Sequence, residues 1–123
     1  MIKKQVEFPL LDKYKQVFDI TPQTIFAYGD DIYTDTPLTV DLAAHESTHL
    51  DQQEKVGLDL WVNLYLTDSN FRIAQETEAY KNQLKVFLDR NERYIMKLEF
   101  AKTLSSGLYG NCIEYSDALK RLC

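Results

Sequence analysis

The stretch LAAHESTHL, residues 42–50, holds both histidines of the chain, His45 and His49, with Glu46 directly after the first. Each residue of an α-helix turns about 100°, so side chains four positions apart lie about 40° apart around the axis. They also lie about 6 Å apart along it, which lets two imidazoles reach one metal ion. The stretch therefore predicts a helix that offers His45 and His49 as zinc ligands.

Glu46 falls within the apolar arc of that predicted helix, between the histidines and Leu50. A buried carboxylate is destabilising unless a cation or hydrogen bonds compensate it. Zinc lowers the pKa of a bound water to about 7, and a neighbouring carboxylate can accept the water's proton. Glu46 is thus the predicted general base. The competing interpretation is a chance glutamate between two unrelated histidines.

A hydrolytic zinc site usually has three protein ligands, and the chain has no further histidine. Two glutamates compete for the place in RIAQETEAY, residues 72–80. On a helix Glu76 shares the apolar stripe of Ile73, whereas Glu78 lies about 140° from that residue. Glu76 is therefore the predicted third ligand, with Glu78 as the alternative. A buried ion pair between Glu76 and Arg72 is the explanation that needs no metal.

The composition limits the function. The chain has 123 residues, 45% of them hydrophobic, which suits one domain over residues 1–123. Its net charge is -5 without a marked basic cluster, so nucleic acid is not an expected partner. No apolar run has the length of a signal peptide or a membrane span, so no membrane partner is expected. These features favour a cytoplasmic protein, with a virus particle as the alternative location.

The order of the elements predicts an α+β fold that is predominantly helical. Two β-prone runs, 24–28 and 32–34, flank a turn and predict an N-terminal β-hairpin. From residue 39 onward there is no proline and the apolar spacing is helical. About five helices are expected, near 39–56, 59–67, 70–89, 91–105 and 111–122.

The pattern His45-Glu46-x-x-His49, followed on the next long helix by Glu76-x-x-Ala79, resembles the gluzincins. It is most similar to the small regulatory metallopeptidases of bacteria and their phages. The resemblance covers roughly residues 38 to 84. It implies a zincin-like active-site helix, Zn²⁺ as the cofactor, and hydrolysis of bonds in a peptide or protein substrate.

The resemblance leaves Tyr80 with three possible roles. In such relatives an Asp or Asn four residues after the third ligand braces a zinc-binding histidine, and here that position is Tyr80. Either its hydroxyl bonds a zinc ligand, or the hydroxyl acts in catalysis at the oxyanion that forms during peptide hydrolysis, or the side chain merely packs. The resemblance also implies that a strand, 24–28 or 32–34, holds the substrate backbone.

Two other functions are compatible with the sequence. A zincin-like domain without activity can keep zinc as a structural clamp and serve as an assembly module, for instance in a virus particle. The short chain favours this alternative, because little of it is left to form a second lobe, whereas Glu46 favours an enzyme. The other possibility is a metal-free helical interaction domain with an aromatic surface.

Overall fold

The computed structural model describes residues 1–123 and contains six α-helices and one three-stranded sheet. The strands are β1 (Ile2–Lys3), β2 (Phe26–Tyr28) and β3 (Asp31–Tyr33). The helices are α1 (Leu11–Lys15), α2 (Val40–Val56), α3 (Leu58–Thr67), α4 (Ser69–Leu84), α5 (Arg90–Leu104) and α6 (Tyr115–Leu122). Helix accounts for 63% of the residues and strand for 7%, which confirms the α+β, mainly helical fold class.

The sheet contains the predicted hairpin and one further strand. β2 and β3 pair antiparallel, with Ala27 opposite Ile32. β1 pairs with β3 in parallel, so the strand order is β1-β3-β2. A strand of two residues is too short to show alternation, which is why the sequence does not predict β1. Because β3 is central, segment 32–34 cannot take an added substrate strand, and β2 is the edge strand beside it.

The five predicted helices after the hairpin all occur, with different ends. α4 ends at Leu84 instead of near 89, and Asp89 is the N-cap of α5, where it accepts a hydrogen bond from the Glu92 amide. α6 begins at Tyr115 instead of near 111, after a 3₁₀ turn at Gly107–Tyr109. The five-residue α1 is too short to be predicted from periodicity. No helix has both the length and the apolar character that crossing a bilayer requires.

Two clusters of buried side chains surround the long helices α2 and α4, which pack against each other. The first cluster joins α4 to α5 and α6 and includes the fully buried Leu104. The second cluster is almost entirely aromatic and joins α3 and the hairpin to the N-terminal segment. Its members are Phe8, Tyr14, Phe18, Phe26, Tyr33, Trp61, Val62 and Tyr65. Tyr80 of the first cluster contacts His45, and Trp61 of the second contacts His49, so both clusters border α2.

Gln53 on α2 ties the hairpin to that helix. Its side-chain nitrogen donates to the Ala27 carbonyl at 2.7 Å, and its side-chain oxygen accepts from the Gly29 amide at 2.9 Å. Gln53 is 2% exposed, so little water can replace these bonds if the side chain is lost. The position of β2 beside α2 therefore depends on one buried amide.

We expect Gln53→Ala to lower the free energy of unfolding by about 2 kcal/mol, because two partly buried backbone groups lose their partner. Chemical denaturation measures the change. Gln16→Ala, at an exposed position, is the control and should stay within about 0.5 kcal/mol of the parent chain. Equal unfolding midpoints for both variants would show that Gln53 does not hold the hairpin.

Candidate metal centre

Helices α2 and α4 bring three candidate ligands together. His45 Nε2 lies 3.1 Å from Glu76 Oε1, His49 Nε2 lies 3.1 Å from Glu76 Oε2, and the two Nε2 atoms are 3.2 Å apart. The side chains of His45, His49 and Glu76 are 7%, 6% and 3% exposed. These three residues form a buried group that can hold a metal ion. Glu78, the alternative ligand, is exposed and lies outside the group.

Gln83 fixes which nitrogen of His45 carries a proton. His45 Nδ1 lies 2.9 Å from Gln83 Oε1, while Gln83 Nε2 donates to Asp41 Oδ2 at 2.8 Å. An ionised carboxylate only accepts hydrogen bonds, so the Gln83 amide oxygen must face His45. His45 Nδ1 is therefore the donor. In the neutral imidazole, Nε2 then has the lone pair, on the side of His49 and Glu76.

Gln52 does the same for His49. His49 Nδ1 lies 2.9 Å from Gln52 Oε1, and Gln52 Nε2 donates to the Gln75 carbonyl at 3.0 Å and to Glu78 Oε1 at 2.9 Å. Both partners of the Gln52 nitrogen are acceptors, which again orients the amide. We call the two hydrogen-bonded chains, Asp41-Gln83-His45 and Glu78-Gln52-His49, the amide relays.

The inward-facing groups of the site are all proton acceptors, so a cation is needed among them. In the metal-free chain the cation is a proton: burial alone would lower the pKa of His49, but the Glu76 carboxylate raises it to about 9. Burial alone would raise the pKa of Glu76, yet the positive charge of His49 and the contacts with both imidazoles hold it well below its usual range.

The spacing of the ligand atoms also fits a small metal ion. A tetrahedral zinc ion with bonds of about 2.0–2.1 Å has ligand atoms about 3.3 Å apart. In this site the two Nε2 atoms are 3.2 Å apart, and each lies 3.1 Å from one oxygen of Glu76, Oε1 for His45 and Oε2 for His49. Two imidazole nitrogens and a carboxylate oxygen are also a donor set that zinc accepts. The residues present therefore fit the predicted ion.

Tyr65 on α3 orients the Glu76 carboxylate. Its hydroxyl donates to Glu76 Oε2 at 2.5 Å. Burial, and then the negative charge of Glu76, raises the pKa of Tyr65 well above its ordinary value, so the hydroxyl stays protonated. Arg72 makes no ion pair with Glu76, because its guanidinium donates to the carbonyls of Tyr65, Leu66 and Tyr109. The ion-pair explanation for Glu76 is therefore wrong.

Glu46 is buried beside the ligand group. Its Oε2 lies 4.0 Å from His45 Nε2, and the carboxylate makes no hydrogen bond within the chain. Burial raises the pKa of Glu46 above its ordinary value, against the opposing charges of His45 and His49. A carboxylate this close to a candidate ligand and without another partner is able to accept a proton from water in the site.

Tyr80 does not brace a ligand. Its ring meets His45 edge to face, with centroids 4.5 Å apart, and its hydroxyl lies 2.8 Å from that of Tyr109. One of its three expected roles was a hydrogen bond to a metal-binding residue. That prediction is wrong, because the Tyr80 hydroxyl bonds Tyr109 instead. Gln83, three residues later on α4, makes the bracing bond to His45.

A cavity of about 220 Å³ adjoins the ligand group. Its polar side is formed by His45, Glu46, His49 and Glu76. Most of the remaining wall is apolar and rich in aromatic rings. These belong to Tyr14, Phe18, Phe26, Trp61, Tyr65, Tyr80, Phe100 and Tyr109. An apolar chamber with a few converging polar groups is typical of binding and catalytic sites.

Four residues of the site are absent from the sequence-based prediction, and two of them carried a usable signal. Gln83 follows Glu76 by seven positions, which places both on one helix face about 20° apart. Gln52 follows His49 by three positions and shares its face. Tyr65 and Tyr109 lie on other elements, so no spacing relates them to the ligands.

Comparison with known proteins leaves the site to be interpreted from its own geometry. No protein-family model, curated protein or solved structure matches this chain. The chain does contain a buried group of His45, His49 and Glu76 that can hold a metal ion.

We expect the purified chain to retain about one zinc ion per molecule after dialysis, and Glu76→Ala to lose it, because the variant removes a ligand and its charge. Elemental analysis gives the ratio. Glu78→Ala is the matched control: it should retain the ion, since Gln52 Nε2 keeps the Gln75 carbonyl as a partner. Zinc lost in Glu78→Ala but kept in Glu76→Ala would assign the third ligand to Glu78.

We expect Gln83→Leu to weaken zinc binding by about 10- to 100-fold, because the outer nitrogen of His45 loses its acceptor. Competition with a chelator of known affinity measures the change. Gln83→Glu alone would set two carboxylates against each other, since Gln83 Nε2 and Asp41 Oδ2 are 2.8 Å apart. Adding Asp41→Asn provides an amide that donates a hydrogen bond to the new carboxylate at position 83, so the double variant should bind zinc as the parent chain does. Unchanged zinc affinity in Gln83→Leu would show that the Asp41-Gln83-His45 relay does not contribute to zinc binding.

Proposed function

We propose that this chain is a zinc-dependent peptidase of the gluzincin type, which hydrolyses an amide bond in a peptide or protein. The observation that carries the proposal is the placement of Glu46, a mostly buried side chain whose carboxylate borders the cavity without a hydrogen bond, 4.0 Å from His45 Nε2. A site that only holds a metal gains nothing from such a group, whose burial destabilises the fold.

The residues of the site have distinct roles in this proposal. His45, His49 and Glu76 would hold the ion, and three protein ligands are typical of catalytic zinc sites, whereas structural sites have four. When bound, zinc supplies the Lewis acidity that lowers the pKa of water to about 7. Glu46 accepts the proton that the water loses and then donates it to the departing amine. The apolar cavity walls keep other water away from the reacting groups.

A structural role for zinc is the competing proposal. The observation that favours it is the burial of the ligands, whose side chains are 7%, 6% and 3% exposed and join α2 to α4. In that case the ion clamps two helices of a zincin-like assembly module without turnover. A virus particle would be a fitting location for such a module, whereas the peptidase proposal places the chain in the cytoplasm.

Glu46→Gln separates the two proposals. The variant keeps the size of the side chain but cannot accept a proton, so hydrolysis should fall by a factor on the order of 10² or more while zinc stays bound. A library of peptides and small amides, analysed by mass spectrometry, gives the rates. Glu54→Gln, at an exposed position of α2, is the matched control and should leave the rates unchanged.

Two results would contradict the peptidase proposal. One is a zinc-loaded parent chain that cleaves no member of the library. The other is a Glu46→Gln variant that cleaves as fast as the parent chain with the same zinc content. Either result would favour the structural role.

A further inference from the structure

The cavity beside the ligand group has the size of one apolar group. Its volume is about 220 Å³, whereas a cavity of about 150 Å³ lined by apolar side chains is known to hold benzene. Aromatic rings from both buried clusters form its wall, among them Phe26 and Phe100. A benzyl-sized group therefore fits, together with the few atoms that connect it to a polar head.

The hydroxyls of Tyr80 and Tyr109 leave one proton without an acceptor. The two oxygens are 2.8 Å apart, and neither makes another hydrogen bond in the chain. A pair of hydroxyls has two protons, and their mutual bond uses one. Both side chains are more than nine-tenths buried, and the cavity is the space that both border. A ligand in the cavity that carries an acceptor oxygen would satisfy this proton.

The outer edge of β2, where an extended peptide segment would pair, is partly occupied. β3 is flanked by β1 and β2. On β2, the Ala27 carbonyl and the Gly29 amide, which face away from β3, are already bonded to Gln53. Strand addition depends on a row of free backbone groups, and two groups of this edge are already used. The burial of His45, His49 and Glu76 also leaves little room for a chain that passes through.

We propose that the cavity binds a small amide with a single apolar group, whose carbonyl oxygen accepts a hydrogen bond from the Tyr80–Tyr109 pair. The apolar group fills the aromatic chamber, and the amide lies next to Glu46 and the ligand group. The terminal residue of a short peptide also combines an amide with a single apolar group. A small amide of this kind is then the substrate class of the proposed peptidase. The binding itself does not depend on peptidase activity; only the statement that the amide is hydrolysed rests on the proposed function.

Binding of three probes tests the proposal without any turnover. Phenylacetamide has the ring and the amide, toluene has the ring alone, and acetamide has the amide alone. Ligand-observed NMR titrations of the zinc-loaded chain should show phenylacetamide binding at least about three- to tenfold more tightly than toluene, the worth of one hydrogen bond, with acetamide the weakest. Equal affinities for phenylacetamide and toluene would overturn the proposal.

The double variant Tyr80→Phe/Tyr109→Phe tests the hydrogen-bond donor. It removes both partners of one bond and keeps both rings, so the fold should be little affected, which a melting curve checks. Phenylacetamide should lose its three- to tenfold advantage, while toluene binding stays unchanged. Tyr94→Phe, at an exposed position of α5, is the matched control. An advantage that survives in the double variant but disappears with a chelator would assign the oxygen to the metal and overturn the proposal.

Two peptides test the size limit. A capped pentapeptide with phenylalanine at its centre carries the same ring in an extended chain and should bind at least about tenfold more weakly than phenylacetamide. Glycyl-glycyl-phenylalanine amide carries the ring at a chain end, so its binding distinguishes peptide termini from free small amides as the source of the group. A capped pentapeptide that binds as tightly as phenylacetamide would overturn the exclusion of extended segments.

Discussion

Three proton-accepting groups face one another across the interface of α2 and α4, and the rest of the site is arranged around the positive charge that they require. His45 and His49 cannot turn their protonated nitrogens inward, because both Nδ1 atoms are bonded to glutamine oxygens. Glu76 contributes a negative charge with one oxygen held by Tyr65. In the metal-free chain a proton supplies the positive charge that these three groups require. A divalent metal ion would supply a larger positive charge at the same place.

The packing of the chain follows from the same constraint. Burying charged and polar groups between two helices is favourable only if every outer hydrogen-bonding position is also satisfied. The amide relays provide this for the histidines, and they end on Asp41 and Glu78, nearer the solvent. The two buried clusters then enclose the interface, which raises the strength of each electrostatic interaction inside it. The cavity is the space left where the clusters meet the ligands.

The sequence predicted the elements that have a clear local signal. Two β-prone runs around a turn indicated the hairpin, and helical spacing indicated the five later helices and the choice of Glu76 over Glu78 as the buried carboxylate. Spacing was not enough for β1 and α1, whose two and five residues are too few to show a repeating pattern, or for Tyr109, which lies on a 3₁₀ turn. Gln83 shows a different limit: its face was predictable, but a buried glutamine has many possible partners, and only the fold reveals Asp41 and His45.

We propose that His45, His49 and Glu76 together bind a zinc ion through their inward-facing atoms. Anomalous diffraction from crystals of the zinc-loaded chain, measured on both sides of the zinc absorption edge, tests it most directly. We expect one peak within about 2.0–2.2 Å of His45 Nε2, His49 Nε2 and one oxygen of Glu76, with no fourth protein ligand. A peak bound to other residues, or a histidine turned so that Nδ1 is the ligand, would contradict it.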